Sequence, residues 1–131
     1  MKKLLLSLSA IIIASIAFVA FKPQQKTATM STLYFKYQLN TYTAAQVSSQ
    51  ANWKQIEPSE ACEQESNQKA CTFSIEVPDT DEPLYLNGTQ PSSRVLIDAA
   101  SSGSSNYVSN VRDNVGTTPP TIAKSIENIS E

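Results

Sequence analysis

The clearest alternation of apolar and polar positions in the chain lies in LYFKYQLN, residues 33–40. Its apolar residues recur at every second position: Leu33, Phe35, Tyr37 and Leu39. Because successive side chains of a strand point to opposite faces, this spacing predicts a half-buried β-strand.

Later stretches show the same period of two. Phe73, Ile75 and Val77 alternate with polar residues and are followed by Pro78, which predicts a second strand that ends there. SRVLIDAA, residues 93–100, predicts another strand, and LYLNG, residues 84–88, predicts a short strand closed by an Asn-Gly turn. Residues 79–83 are expected to form an acidic turn, and residues 101–106 a loop.

Helical signals are weaker. Thr43 and Gln46 have the spacing of a capping box, which predicts a short helix over residues 44–51. Trp53 follows, and core packing is favoured over a binding role for this single tryptophan. Residues 107–115 fit either a strand or a helix, and in the C-terminal segment the isoleucines have helical spacing: Ile122, Ile126 and Ile129.

Together these elements predict a small β-rich or α+β domain with three to five short strands and one or two short helices. We place this domain at residues 33–115, after a flexible linker at 21–32. Residues 116–131 are expected to be a tail that is either a short helix or disordered.

The N-terminus has the pattern of an export signal. Lys2 and Lys3 precede an uncharged, mostly apolar run at residues 4–21. This layout predicts a signal peptide at residues 1–20, with small residues placed for cleavage before Phe18. The alternative is an uncleaved hydrophobic helix that anchors the chain in a membrane. Both interpretations predict an exported protein, periplasmic or secreted, and a membrane contact is expected only through residues 4–21 if this segment stays uncleaved.

The net charge of the chain argues against some classes of binding partner. From residue 21 onward the chain has eight Lys plus Arg and twelve Asp plus Glu, a net charge of about −4. Because nucleic acids and anionic membranes attract basic surfaces, neither is expected as a partner. The sequence indicates no particular ligand or protein partner.

The chain contains no histidine. This removes the usual general base for a serine or cysteine nucleophile and the commonest metal ligand, so no catalytic residue, metal site or cofactor is predicted. Asp98 and Asp113 could form an acid/base pair, although any chain with a dozen acids offers such pairs. The acidic turn at 79–83 lacks the spacing of a calcium-binding loop.

Cys62 and Cys71 are the only cysteines and are separated by eight residues. A zinc site would lack two of its usual ligands, and the surrounding glutamates disfavour a reactive thiolate. An oxidising compartment and an even count favour a disulfide between them. Since Cys71 directly precedes the Phe73 strand, this bond is expected to fix a polar loop at the start of a core strand.

The order of these features resembles a set of small exported proteins of unknown function from Bacteroidota. In that set an Asn-Trp pair precedes two cysteines, and the second cysteine opens an apolar strand. The matching positions are Asn52, Trp53, Cys62 and Cys71, and the resemblance covers roughly residues 1–78. It implies export and a disulfide, but no activity.

The leading functional hypothesis is therefore an exported, non-enzymatic protein with a structural or interaction role, stabilised by one disulfide. A single-pass, membrane-tethered protein is the first alternative. The second is a hydrolase that works with carboxylates instead of histidine.

Overall fold

A computed structural model describes residues 27–116 and 120–130, and over these ranges the chain forms eight β-strands and two one-turn α-helices. The predicted β-rich fold class is confirmed, with more strands than the three to five expected. The predicted N-terminal hydrophobic helix lies outside the described residues. The strands are β1 Met30–Tyr37, β2 Trp53–Ile56, β3 Lys69–Pro78, β4 Leu86–Asn87, β5 Gln90–Pro91, β6 Val95–Ser102, β7 Ser105–Asp113 and β8 Ala123–Ile129, and the helices are α1 Ala44–Val47 and α2 Glu82–Tyr85.

Four strands form the main sheet, in the order β2-β1-β3-β8, with every neighbouring pair antiparallel. The apolar face of β1 is buried as its period predicts, and Phe35 lies directly opposite Phe73 with the ring centroids 5.2 Å apart. The strands predicted at β1 and β3 are therefore confirmed, although β1 begins at Met30, within the linker expected at 21–32, and ends at Tyr37.

A long hairpin, β6 and β7, packs on the core beside this sheet and contributes four buried apolar side chains: Val95, Ile97, Val108 and Val111. The predicted strand at β6 is confirmed, whereas the predicted loop at 101–106 is wrong. Both strands continue through that stretch until Ser102 pairs with Ser105. Gly103, with φ of +61°, makes this possible because two-residue hairpin turns need positive φ.

The ambiguous segment 107–115 belongs mainly to β7, and a bulge explains its helical appearance. The register with β6 shifts between Asp98 and Ala99, which leaves Ser109 as an extra residue on β7. The extra residue allows Val108 and Val111, three apart, to be buried on the same side. The spacing of three therefore arises from an irregular strand.

The expectation of a C-terminal tail at 116–131, either a short helix or disordered, is wrong for residues 123–129, because they form β8. This strand pairs with β3, with Ile126 opposite Phe73 and Asn128 opposite Ala70. Ile122 and Ile126 pack against the core. Long-range pairing with β3 overrides the local helical spacing.

The capping box predicted at Thr43 is present: its hydroxyl accepts a hydrogen bond from the backbone N–H of Gln46. The helix is shorter than predicted, because α1 stops at Val47 and a 3₁₀ turn, Gln50–Asn52, follows. Trp53 is fully buried and donates its indole N–H to the carbonyl of Val47 at 2.8 Å. The prediction that this residue packs in the core is confirmed.

The strand predicted at 84–88 is confirmed only at β4, because residues 84 and 85 belong to helix α2. This helix also includes the last two residues of the acidic turn expected at 79–83. Only β4 and β5 pair here, joined by a tight turn with Gly88 at φ +63°. The turn residues are Gly88 and Thr89, because Asn87 belongs to β4, so the turn lies one residue later than predicted. The helices of the described residues are each one turn long, and none could cross a membrane.

Candidate functional site: the Cys62–Cys71 loop

Cys62 and Cys71 are joined in a disulfide, which confirms the predicted pairing. Their Cα atoms are 6.2 Å apart, within the range usual for disulfides. The bond closes the Cys62–Cys71 loop, residues 62–71, whose second cysteine belongs to β3. Both thiols are consumed by the bond, so neither is available as a metal ligand or a nucleophile in this state.

The base of the loop is tied to both neighbouring strands through Thr72. The backbone N–H of Cys62 donates to the Thr72 hydroxyl at 3.2 Å, and that hydroxyl donates to the Glu127 carboxylate at 3.0 Å. The pairing of β3 with β8 is irregular between Ala70 and Thr72, which places a bulge at Cys71. The bulge and the disulfide therefore occupy the same position on β3.

The tip of the loop is attached to the end of β8. The backbone N–H of Glu65 donates to the Asn128 carbonyl at 3.0 Å, and the Asn128 N–H donates to Gln64 Oε1 at 2.6 Å. The Asn128 side chain adds a bond to Asn67 Oδ1 at 3.1 Å. The loop therefore acts as an additional pairing partner for the last residues of β8.

Glu65 extends this attachment beyond the strand. Its carboxylate accepts hydrogen bonds from the Ser130 hydroxyl at 2.7 Å and the Ser130 backbone N–H at 3.1 Å. These two bonds hold the pKa of Glu65 below its ordinary value, and the bond from the Ser130 hydroxyl has the larger effect. Glu65 is one of the glutamates near Cys62 that were expected to disfavour a thiolate. In the structure its carboxylate binds the C-terminal segment at Ser130.

The two carboxylates considered as an acid/base pair are held in separate ion pairs. Asp98 accepts two bonds of 2.6 Å from Arg112, and Asp113 accepts bonds of 2.8 Å and 3.1 Å from Arg94. Tyr85 also donates its hydroxyl to Asp113 at 2.6 Å. Such bidentate pairing is typical of structural ion pairs.

Asp113 and Tyr85 form a buried polar pair under Arg94. Burial acts to raise the pKa of Asp113, but the hydrogen bonds from Arg94 and Tyr85 outweigh it, and the pKa lies below its ordinary value. Burial, together with the bond to Asp113, raises the pKa of Tyr85 to about 12. The aspartate is therefore kept ionised and the tyrosine protonated at neutral pH, as a structural pair requires.

No group of three or more acidic, cysteine or histidine side chains within residues 27–116 and 120–130 is arranged to hold a metal ion. In the acidic turn, Asp79 accepts a hydrogen bond of 2.8 Å from the Ser31 hydroxyl. This bond secures the end of β3 against the start of β1.

A recess that sequence reasoning did not identify lies beside the start of β3. It has a volume of about 410 Å³, and we call it the Lys69–Tyr42 recess after its cation and its aromatic ring. Its walls include Asn40, Thr41 and Ser104. No local motif connects these positions, because they come from three segments that meet only in the folded chain.

Comparisons of the chain with protein-family models, with curated proteins and with solved structures found no match.

Proposed function

We propose that this chain is an exported, non-enzymatic domain with a structural or interaction role, stabilised by the Cys62–Cys71 disulfide. The observation that carries the proposal is the disulfide itself, together with the way its loop secures β8. Disulfides persist in oxidising compartments and are rare in the reducing cytosol. The bond and the signal-like N-terminus therefore favour the same location, the periplasm or the exterior.

The size of the domain supports a stabilising role for the bond. Domains of about a hundred residues have only about 5–15 kcal/mol of net stability. In the chain-entropy model, closing a ring of about ten residues contributes about 2.5–3 kcal/mol. The disulfide would thus account for a large share of the stability that an exported domain needs outside the cell.

The non-enzymatic part of the proposal rests on what the reactive residue types do in the fold. The chain has no histidine, both cysteines are oxidised, and each candidate aspartate binds an arginine. A general base must be free to take a proton in a substrate complex. Side chains committed to structural pairs favour a binding or scaffolding protein over a carboxylate hydrolase.

The resemblance to exported Bacteroidota proteins forms part of the same proposal and bears on location only. The tethered alternative keeps residues 4–21 as an anchor, because this run is 18 residues long, at the lower limit for a membrane span. In either case the domain is placed outside the cytoplasm.

The test uses full-length protein expressed in a bacterium with an oxidising periplasm. We expect the chain in the periplasmic or secreted fraction, with a non-reduced mass two hydrogens below the reduced mass. Two alkylatable thiols in that fraction would contradict the proposal, as would retention of the chain in the cytosol. N-terminal sequencing then separates the alternatives: a start at Phe18 or Phe21 indicates cleavage, and an intact Met1 in the membrane fraction indicates the tether.

A further inference from the structure

The Lys69–Tyr42 recess has a fixed wall. The Tyr37 hydroxyl donates to the Thr41 carbonyl at 2.7 Å, and the Asn106 side chain donates to the Tyr42 carbonyl at 2.8 Å. The Tyr42 ring also stacks against Tyr37, with the centroids 5.3 Å apart. Residues 41–43 are thus held from several sides, which makes the recess preformed, as ligand sites usually are.

The recess contains a cation that forms no ion pair with a described residue. Arg94, Arg112 and Lys124 each bind a carboxylate. Lys69 is half-buried instead, with its ammonium over the Tyr42 ring, 5.6 Å from the centroid. Because an aromatic ring does not neutralise the ammonium charge, Lys69 stays available to an anion.

The remaining walls are polar and uncharged. Among the described residues that line the recess, none has a carboxylate side chain, although acidic residues outnumber basic ones in the chain. The side chains of Asn40 and Thr41 supply an amide and a hydroxyl group. Such groups can both donate and accept hydrogen bonds, which suits a ligand with many hydroxyl groups.

The volume of the recess is larger than a simple ion would fill. Pockets for small organic ligands range from about 300 to 1,000 Å³, and this one, at about 410 Å³, lies in the lower part of that range. A single inorganic anion would contact Lys69 and leave most of the hydroxyl-lined volume to water. A sugar-sized molecule would fill more of it.

We propose that the Lys69–Tyr42 recess binds an acidic saccharide, a sugar unit with one carboxylate, and that Lys69 takes the carboxylate. The neutral walls then bond to the sugar hydroxyls, and the edge of Tyr42 contacts the ring. Binding at this recess does not depend on export, so this inference and the proposed location stand or fall separately.

The test is a titration of the full-length protein, with its backbone amide signals followed by NMR, using glucuronate, glucose and acetate as the probes. We expect glucuronate to shift the signals of Tyr42, Lys69 and Ser104, and to bind more tightly than glucose or acetate. Lys69→Met keeps the length of the side chain and removes its charge. We expect it to weaken glucuronate binding about tenfold or more, the usual effect of losing one charged hydrogen bond.

Two variants make the result specific. Lys54→Met removes the same charge from an exposed position on β2 and should leave glucuronate affinity unchanged. Lys69→Arg keeps the charge and should retain the preference for glucuronate over glucose. Unchanged Asn128 and Val108 signals in each variant report an intact fold. Equal binding of glucuronate and acetate, an equal loss in Lys54→Met, or shifts located elsewhere would each overturn the proposal.

Discussion

The side-chain amide of Asn128 pairs with the backbone of Val108 as a residue of a neighbouring strand would. The Val108 N–H donates to Asn128 Oδ1 at 3.1 Å, and Asn128 Nδ2 donates to the Val108 carbonyl at 3.0 Å. The backbone of Asn128 meanwhile bonds to Gln64 and Glu65 of the Cys62–Cys71 loop. One buried residue therefore joins the hairpin, the main sheet and the disulfide loop.

Replacing Asn128 should lower the free energy of unfolding by more than the small size of its side chain suggests. Asn128→Ala leaves the N–H and carbonyl of Val108 without their partner in a buried position, and each unsatisfied group costs about 1–3 kcal/mol. We expect the free energy of unfolding to fall by about 2–4 kcal/mol, measured by urea denaturation with Trp53 fluorescence. The exposed Asn114→Ala is the matched control, with an expected change below about 0.5 kcal/mol. Equal losses in the two variants would contradict the role of Asn128.

Removing the disulfide should affect both stability and the end of β8. We expect Cys62→Ser with Cys71→Ser to lower the free energy of unfolding by about 2.5–3 kcal/mol in the chain-entropy model. Because the loop bonds directly to Asn128, the amide of that residue should also exchange with solvent faster than amides of β1. If exchange rose uniformly along the chain, the loop would stabilise the domain only globally.

The two arginine–aspartate pairs should differ in energy because they differ in burial. The Asp113 side chain is 8% exposed, whereas the Asp98 side chain is 32% exposed. We expect Arg94→Gln to destabilise the domain by about 3 kcal/mol, since it leaves a buried carboxylate poorly paired. Arg112→Gln removes the more exposed pair and should cost at most about 1 kcal/mol. A larger loss in Arg112→Gln, in thermal or urea unfolding, would reverse this assignment.

The Arg94–Asp113 pair makes the free energy of unfolding depend on pH in the acidic range. The folded-state pKa of Asp113 lies below its unfolded value, so ionised Asp113 stabilises the fold above the unfolded pKa. This contribution is lost as the pH falls through the folded pKa. Arg94→Gln removes the main group that lowers the pKa, and burial should then raise it. Carboxyl NMR titration of Asp113 in both proteins measures the shift, and an unchanged pKa would contradict this account.

The turn of the long hairpin should tolerate few substitutions. Gly103 has φ of +61°, and a Cβ added there would meet no atom within 4 Å. The cost of Gly103→Ala is therefore conformational and should be about 1 kcal/mol. Gly103→Asn should cost less, because asparagine adopts this conformation more readily. Equal unfolding midpoints for the two variants would argue against positive φ as the cause.

Local patterns predicted the strands in which apolar and polar residues alternate along the sequence, although in β3 the polar Thr72 and Ser74 are buried as well. The alternation at Phe35 and at Phe73 identified β1 and β3, and the Thr43 capping box identified the start of α1. Prediction failed where pairing is irregular or distant. The bulge at Ser109 gives β7 a spacing of buried residues that resembles a helix. The pairing of Ile126 with β3 depends on a partner that is distant in sequence.

The candidate site shows the same division. The disulfide could be predicted from three features that the sequence shows directly: the export-like N-terminus, the even number of cysteines and the spacing between them. The attachment of Glu65 to Ser130 and the meeting of Tyr42 with Lys69 could not. Both contacts join segments that become neighbours only when the sheet and the hairpin have formed.

The position of β8 also sets the order in which this fold can be completed. β3 has β1 on one side and β8 on the other, and its contact with β8 joins Ser74 to Ser125 across 51 residues. Until β8 has been synthesised, one edge of β3 is open and the disulfide loop lacks the strand to which it bonds. Contacts of such long range form slowly. The chain therefore completes the main sheet only after β8 has been synthesised.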